Sequence, residues 1–412
     1  MALSLVSLKE FQMNLRSLFL QHVGQTSVMP MMLEVAKAEG MYIYDQEGKA
    51  FLDLNSGISV SSLGHRHPKV VEAITDQLGK HMHTMVYGEH IHTPQVLYAS
   101  TLAKALDNGL DAVYYVNCGT EAVEVAMKLA RRATGRRQIL SCKNAYHGST
   151  MGAEALRSDY EFTRTFFPSI PDVDHITFND ESDLENITHK TACIILEAVQ
   201  AEAGIRSPKD DYLIKVRKRC DEVGALMILD EIQTGFGRTG HLFAHKKYGF
   251  VPDVLLIAKG MGGGMPIGGV VASKNLLDTF TKKPALGHIT TFGGHPVCVA
   301  AAMATLDVLL ADDQGLVQSV LEKEKLIHEL LVHEIIQEIR SDGLMMAVEL
   351  TKRKYLKHVV EKTISNGALI DFFLFDDRSF RLAPPLIITE QQIREGVDKI
   401  LSACDYAKAQ YR

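Results

Sequence analysis

The sequence predicts an α/β protein, with a large domain built on a mostly parallel, mixed sheet and a smaller α+β domain. Three observations carry this expectation. From about residue 100, short β-branched-rich runs alternate with helical stretches, the pattern of a parallel sheet covered on both faces. At 412 residues the chain exceeds the usual size of a single core. Beyond the run PVCVAAAMATLDVLL the alternation gives way to a long helix, a charged helical segment and an α+β remainder.

Taken in order, MALSLVSLKEFQMNLRSLFL is amphipathic but carries Glu10 and lacks a compact apolar core with a cleavage site, so it reads as a surface helix. MYIYDQEGKAFLDL reads as two short strands joined by a turn at Gln46–Gly48, and the chain then enters a helix through SGISVSSLGHRHPKVVEAITDQLGK. The strand-like runs that follow are AVYYVN, QILSC, ACIILEAV, ALMILDE, VLLIAK and GGVVAS. Helical stretches such as EAVEVAMKLARRATG and DDYLIKVRKRCDEVG lie between them. GLMMAVEL and FRLAPPLII read as strands of the smaller domain, and TEQQIREGVDKILSACDYA as a closing helix.

Composition narrows the class. Hydrophobic content of 46% and charged content of 23% are those of an ordinary globular protein. A net charge of −6 argues against a nucleic-acid or anionic-membrane partner, and no apolar run reaches the length of a membrane span. Six scattered cysteines without a CxxC point to buried thiols in a reducing compartment, and the expected location is the cytoplasm.

The chemistry concentrates at Asp230 in ALMILDEIQTGFGRTG and Lys259 in VPDVLLIAKGMGGGMPIGG. Each closes an apolar run, where an open α/β sheet delivers its functional groups. An acid and an amine so placed suit pyridoxal phosphate, which needs a lysine for a Schiff base and a carboxylate to keep its ring nitrogen protonated. The glycines after Lys259 imply close backbone approach to a ligand, and that stretch has neither P-loop nor GxGxxG spacing. In YVNCGTEAVEVAMKLARR, a strand ends at Asn117 and a helix opens after a Gly-Thr turn, a natural phosphate site. The same stretch alone is equally an N-cap with an acidic first turn.

DEIQTGFGRTG followed by PDVLLIAKGMGGGMPIGG resembles the signature of class III, or ω-, aminotransferases of pyridoxal phosphate fold type I. The resemblance extends from about residue 30 to the end. It implies that residues 1–64 join residues 298–412 in the small domain, around a cofactor domain at 65–297. It implies that Lys259 carries the cofactor and moves the substrate proton, that Asp230 pairs with the ring nitrogen, and that Gln233 meets the ring hydroxyl. Ile232 and Tyr146 would pack on opposite ring faces, with His147 beside them. Gly119 and Thr120 match the phosphate positions, and Cys118 stands where the family commonly has serine. Thr291 resembles a threonine that reaches the phosphate from a neighbouring subunit, which implies a homodimer with active sites at its interface. The residues alone do not separate Thr291 from Thr290.

At the substrate end, Arg381 matches an arginine that grips a carboxylate, and Glu202 the acid that pairs with it while an ω-amine is bound. Glu197 matches the first acid of an E-P-x-Q motif, with Ala198 in place of proline. Two departures bear on substrate. Ser149 occupies a place where acetylornithine and ornithine enzymes commonly carry arginine, and Ile58 one where ornithine enzymes carry tyrosine; the aliphatic residue is similar to 4-aminobutyrate enzymes. The expected activity is transfer of an amino group from an ω-amino acid or amine to a keto acid such as 2-oxoglutarate or pyruvate, ping-pong through pyridoxamine phosphate. A decarboxylase or aminomutase of the same fold is the alternative, since Lys259 and Asp230 serve all three. A binding or regulatory module on this fold is disfavoured by the retained lysine. The pairs His65/His67, His81/His83 and His90/His92 have metal-compatible spacing, but no cysteine or carboxylate is arranged with them, and no metal is expected.

Overall fold

The computed structural model describes residues 15–107 and 109–411. Seven strands form the central sheet: β1 (Ala112–Val116), β2 (Gln138–Cys142), β3 (Val173–Ile176), β4 (Thr191–Glu197), β5 (Leu226–Asp230), β6 (Val254–Ile257) and β7 (Gly268–Ala272). Their order is β1-β7-β6-β5-β4-β2-β3, with β7 antiparallel to both neighbours and the other pairings parallel. β4 and β6 are buried along their whole length, which is why they read as continuous apolar runs without alternation. One apolar cluster carries the helix Gly119–Thr134 on one face, through Val123, Met127 and Leu129 packed with Ile195 and Leu256. On the other face Leu196, Leu229 and Ile257 join a larger cluster. This cluster continues through Leu306 and Leu309 into the C-terminal residues Val348 and Phe380.

Two smaller sheets complete the fold. Val35–Glu39, Tyr42–Asp45 and Ala50–Asp53 form a meander, and Ala368–Leu369 adds to it in parallel with Ala50–Asp53. The N-terminal segment is thereby tied to the C-terminal third. Ile336–Ser341, Met346–Leu350, Ser379–Leu382 and Asp371–Phe372 form the other sheet.

Several local expectations change. The strand Val35–Glu39 and the edge strand β3 are short and largely polar or half-exposed, so no apolar run announces them. Of FRLAPPLII only the first three residues lie in a strand, Ser379–Leu382, because Pro384 and Pro385 cannot donate to a ladder. The long helix and the charged segment are one helical stretch, Pro296–Leu330, broken at Ala311–Gln314, where three residues take left-handed backbone angles. Of the expected N-terminal helix, Leu15–His22 is helical with no buried residue, and residues 1–14 lie outside the described residues. Among the described residues no helix is long and apolar enough to cross a membrane.

Candidate active site

Parallel strands end together, and two adjacent ones here end in acids. Register pairs Glu197 at the end of β4 with Asp230 at the end of β5, and β6 ends two residues before Lys259. Lys259 itself takes φ of +47°, a strained conformation for a residue with a side chain. The Gly-rich stretch after it packs closely: a Cβ on Gly260 would come within 2.9 Å of Ser62 Oγ, and Gly263 has φ of +58°. These ends border a cavity of about 710 Å³ lined by Lys259, Asp230, Glu197, His147, Tyr146, Ile232, Gln233, Gly119 and Thr120. The residues that the sequence assigned to a cofactor thus face one space, with the exception of Thr291.

The buried charges are coupled. His147 Nδ1 lies 2.7 Å from Asp230 Oδ2, and Asp230 Oδ1 accepts from the Ile232 N–H at 2.9 Å. Burial disfavours a charged His147, but the Asp230 carboxylate and Glu197 more than reverse this, so its pKa is raised. Burial pushes the Glu197 carboxyl up to about 8, against the pull of His147. Burial lowers the Lys259 amine, partly offset by Glu202, and that favours a neutral nitrogen able to attack or to accept a proton.

Pyridoxal phosphate fits the residues present. His147 Nε2, Glu197 Oε2 and Gln233 Oε1 are buried without a hydrogen-bond partner, as polar atoms awaiting a ligand are. At one end of the cavity the helix Gly119–Thr134 begins with no side-chain cap from Cys118, which leaves its first amides for an anion. Space there is tight: a Cβ on Gly119 would lie 2.8 Å from Ile232 Cδ1, and one on Gly148 2.3 Å from Thr120 Oγ1. Thr120 Oγ1 and Thr150 Oγ1 are 2.7 Å apart, and Glu121 accepts from the Asn117 backbone and side chain at 2.8 Å.

Arg381 and Glu202 are both buried and joined Nη2 to Oε1 at 2.5 Å. Arg381 lies over the Phe373 ring at 4.6 Å with its Nε unpartnered, and Glu202 Oε2 accepts from the Leu374 N–H at 3.2 Å. Both groups bear on Lys259 electrostatically, although neither borders the cavity. Ile58 also stands off it, in a turn where Ser56 to Ser59 all have positive φ; Val60, two residues on, borders the cavity instead. Thr290 and Thr291 separate cleanly. Thr290 Oγ1 accepts from Asn117 Nδ2 at 3.0 Å, whereas Thr291 is exposed and outside this chain's own cavity. The sequence reading did not single out Val60, Val199, Met265 or Ile267, apolar lining residues whose signal is only that of core. Of the paired histidines, His83 stacks on His295 at 5.6 Å and His81 lies tilted against His92 at 5.7 Å. No group of three or more metal-ligating side chains occurs among the described residues.

Comparison with known proteins gives the family. Residues 23–404 match the family model for class-III aminotransferases. The chain is 37% identical over 387 residues to an acetylornithine aminotransferase of Methanopyrus kandleri, covering 93% of this chain and 96% of that one. It is 40% identical over 382 residues to an acetylornithine aminotransferase of Mycolicibacterium smegmatis, covering 91% and 94%. A solved ornithine aminotransferase from Toxoplasma gondii, with pyridoxal phosphate partially occupying its active site, superposes with a TM-score of 0.88 at 29% identity, covering 96% and 94%.

Proposed function

We propose, from the premise that the chain belongs to the class III aminotransferases and uses pyridoxal phosphate, that it transfers an amino group from an ω-amino acid or amine donor to a keto acid. The donor class is acetylornithine-, ornithine- or 4-aminobutyrate-like, and the acceptor is 2-oxoglutarate or pyruvate in a two-stage, ping-pong exchange. The observation that supports this best is the convergence of Lys259, Asp230, Glu197 and His147 on one cavity beside a capless helix start. Bound there, pyridoxal phosphate supplies an aldehyde for the amino group and a protonated ring that withdraws electrons from the reacting carbon.

The chain's residues do the rest. Lys259 Nζ, its pKa lowered by burial, would take the proton from the amine-bearing carbon of the donor and deliver it, within the same half-reaction, to the cofactor carbon that keeps the amino group; the second half-reaction would run that transfer in reverse. Asp230, oriented by His147 and the Ile232 amide, holds a proton on the ring nitrogen through a charge-assisted hydrogen bond. Glu197 and Gln233, each with a buried unpartnered oxygen, would meet polar groups of the ring. Gly119, Thr120 and the first amides of their helix would hold the phosphate, and Tyr146 and Ile232 would pack against the ring. Arg381 grips a substrate carboxylate once Glu202 releases it, and Glu202 covers that charge while an amine end is bound. An exposed Thr291 suits delivery to the phosphate of a neighbouring subunit, hence a homodimer, and we place the enzyme in the cytoplasm. Ile58 would act through the turn that sets Val60 on the cavity wall. For the division of the chain we propose 1–64 with 298–412 around the small sheets and 65–297 around the large one.

The test is product analysis with N-acetylornithine, ornithine, 4-aminobutyrate, β-alanine, lysine and a simple aromatic amine as donors. Glutamate or alanine should form from 2-oxoglutarate or pyruvate in step with an aldehyde or keto product. Carbon dioxide release, or turnover without any acceptor, would overturn the assignment.

A further inference from the structure

A residue outside the cofactor cavity touches a ring on the cavity wall and a ring beside the segment that holds Glu202. Arg157 is only 7% exposed. Its guanidinium makes a bidentate contact with Asp159, Nε to Oδ1 at 3.0 Å and Nη2 to Oδ2 at 2.9 Å. Glu154 adds a weaker ion pair at 3.4 Å. So fixed, the cation lies near three rings: Phe162 at 4.4 Å, Phe375 at 5.5 Å and Tyr146 at 5.8 Å. Planar guanidinium groups favour such contacts, and desolvation strengthens them.

The three rings stand on different walls. Tyr146 borders the cofactor cavity. Phe162 belongs to an exposed aromatic stretch beside a second cavity of about 320 Å³, which Arg157 borders. Phe375 sits on the strap that grips Glu202: the Leu374 N–H donates to Glu202 Oε2 at 3.2 Å and the Phe375 N–H to the Glu202 carbonyl at 3.1 Å. Glu202 therefore cannot swing off Arg381 without also leaving Leu374. Whatever holds the strap biases the switch.

We propose that Arg157 is a positioning residue for the Glu202–Arg381 switch, holding through Phe375 and Tyr146 the paired state that accepts the amine end of the donor. This rests on the donor-and-acceptor reading above. Loss of Arg157 weakens the paired state, so it penalises the donor and spares the carboxylate acceptor.

The experiment is steady-state kinetics on the holoenzyme of Arg157→Leu, Arg157→Lys, Phe375→Leu and the Arg157→Leu/Phe375→Leu double variant. The fastest donor of the panel above would be used, with 2-oxoglutarate as acceptor. For Arg157→Leu the KM for donor should rise about five- to tenfold, the range of a desolvated cation–ring contact, with the KM for 2-oxoglutarate and kcat within about twofold. Arg157→Lys should recover part of the loss, and the double variant should be no worse than Arg157→Leu, because both act along one path. Glutarate, an unreactive dicarboxylate, should bind the variant at least as tightly as the parent when followed by perturbation of the cofactor band. Both KM values moving together, neither moving, an additive double variant or weaker glutarate binding would each overturn the proposal. If Arg157→Leu does not fold, Phe375→Leu and Arg157→Lys must still show the split. A parent enzyme that transaminates while its variants show no split sinks this inference alone; a parent that does not transaminate sinks the function first.

Discussion

The cavity floor is assembled from the carboxyl ends of adjacent strands, whereas the Glu202–Arg381 pair beyond it joins a turn to a strand of a small sheet, and the two meet only in the folded chain. Asp230, Glu197 and Lys259 are set by sheet register, and the polar atoms around them are buried and rigidly backed. Glu202 and Arg381 are 179 positions apart, and each carboxylate oxygen of Glu202 has one partner it can lose, Arg381 or Leu374. The first region is suited to holding a fixed group, and the second, in the function proposed above, to exchanging contacts between two substrates. The difference shows how one site can be preorganised for chemistry and adaptable in recognition.

Substitutions should sort along that line. Lys259→Ala should have the largest effect, a loss of kcat of about 10⁴-fold or more, at the upper end of what one acid–base group supplies, with the fold intact by circular dichroism. Unchanged turnover there would remove the distinction between the two ends. Asp230→Asn should lower kcat by about 10²- to 10³-fold, the cost of one preorganised charge at the reacting system, and should also lower the pKa of His147, readable by NMR. At the other end, Arg381→Lys should leave kcat nearly unchanged and raise the KM for 2-oxoglutarate about 10- to 100-fold, since a point charge replaces a bidentate fork. An equal fall in kcat would merge the two regions.

A smaller effect tests the tight packing of the helix start. Gly119→Ala places a methyl group 2.8 Å from Ile232 Cδ1 and should weaken cofactor binding about tenfold by equilibrium dialysis, an ordinary overpacking penalty. The last prediction concerns pH. Folding raises the Glu197 carboxyl from 4.5 to about 8, so the folded protein holds its proton more tightly than the unfolded chain does. That contribution to stability is complete below about pH 4.5 and is lost as pH rises through about 8. In cofactor-free protein, Glu197→Gln should therefore flatten the fall in Tm across this window relative to the parent. A parallel pair of curves would show that Glu197 is ionised throughout.

Much of the cofactor end was legible in the sequence because it obeys local rules. Apolar runs ending in Asp230 and before Lys259, and a strand–Gly-Thr–helix junction at Asn117–Glu121, signal strand ends and a helix start without any tertiary information. The pairing of Glu197 with Asp230 was not legible, since register between strands is set by packing. Nor was the contrast between Thr290, tied to Asn117, and its exposed neighbour Thr291, because adjacent loop threonines carry the same local signal. Ile58 illustrates the limit further: the left-handed turn around it places Val60 on the cavity wall, and nothing in SGISV other than Gly57 hints at such a turn. Short polar strands such as Val173–Ile176 escaped for the opposite reason, their burial being too slight to leave an apolar pattern.

The central claim is that this cavity holds pyridoxal phosphate on Lys259 and exchanges amino groups there. The most direct measurement is the visible absorption spectrum of the purified holoenzyme, before and after each donor of the panel and then after 2-oxoglutarate or pyruvate. The account predicts a bound-cofactor band that bleaches with an ω-amino donor, returns with the keto acid, and is altered in Lys259→Ala. A protein that takes up no cofactor, or a band that Lys259→Ala leaves unchanged and no donor bleaches, would contradict it.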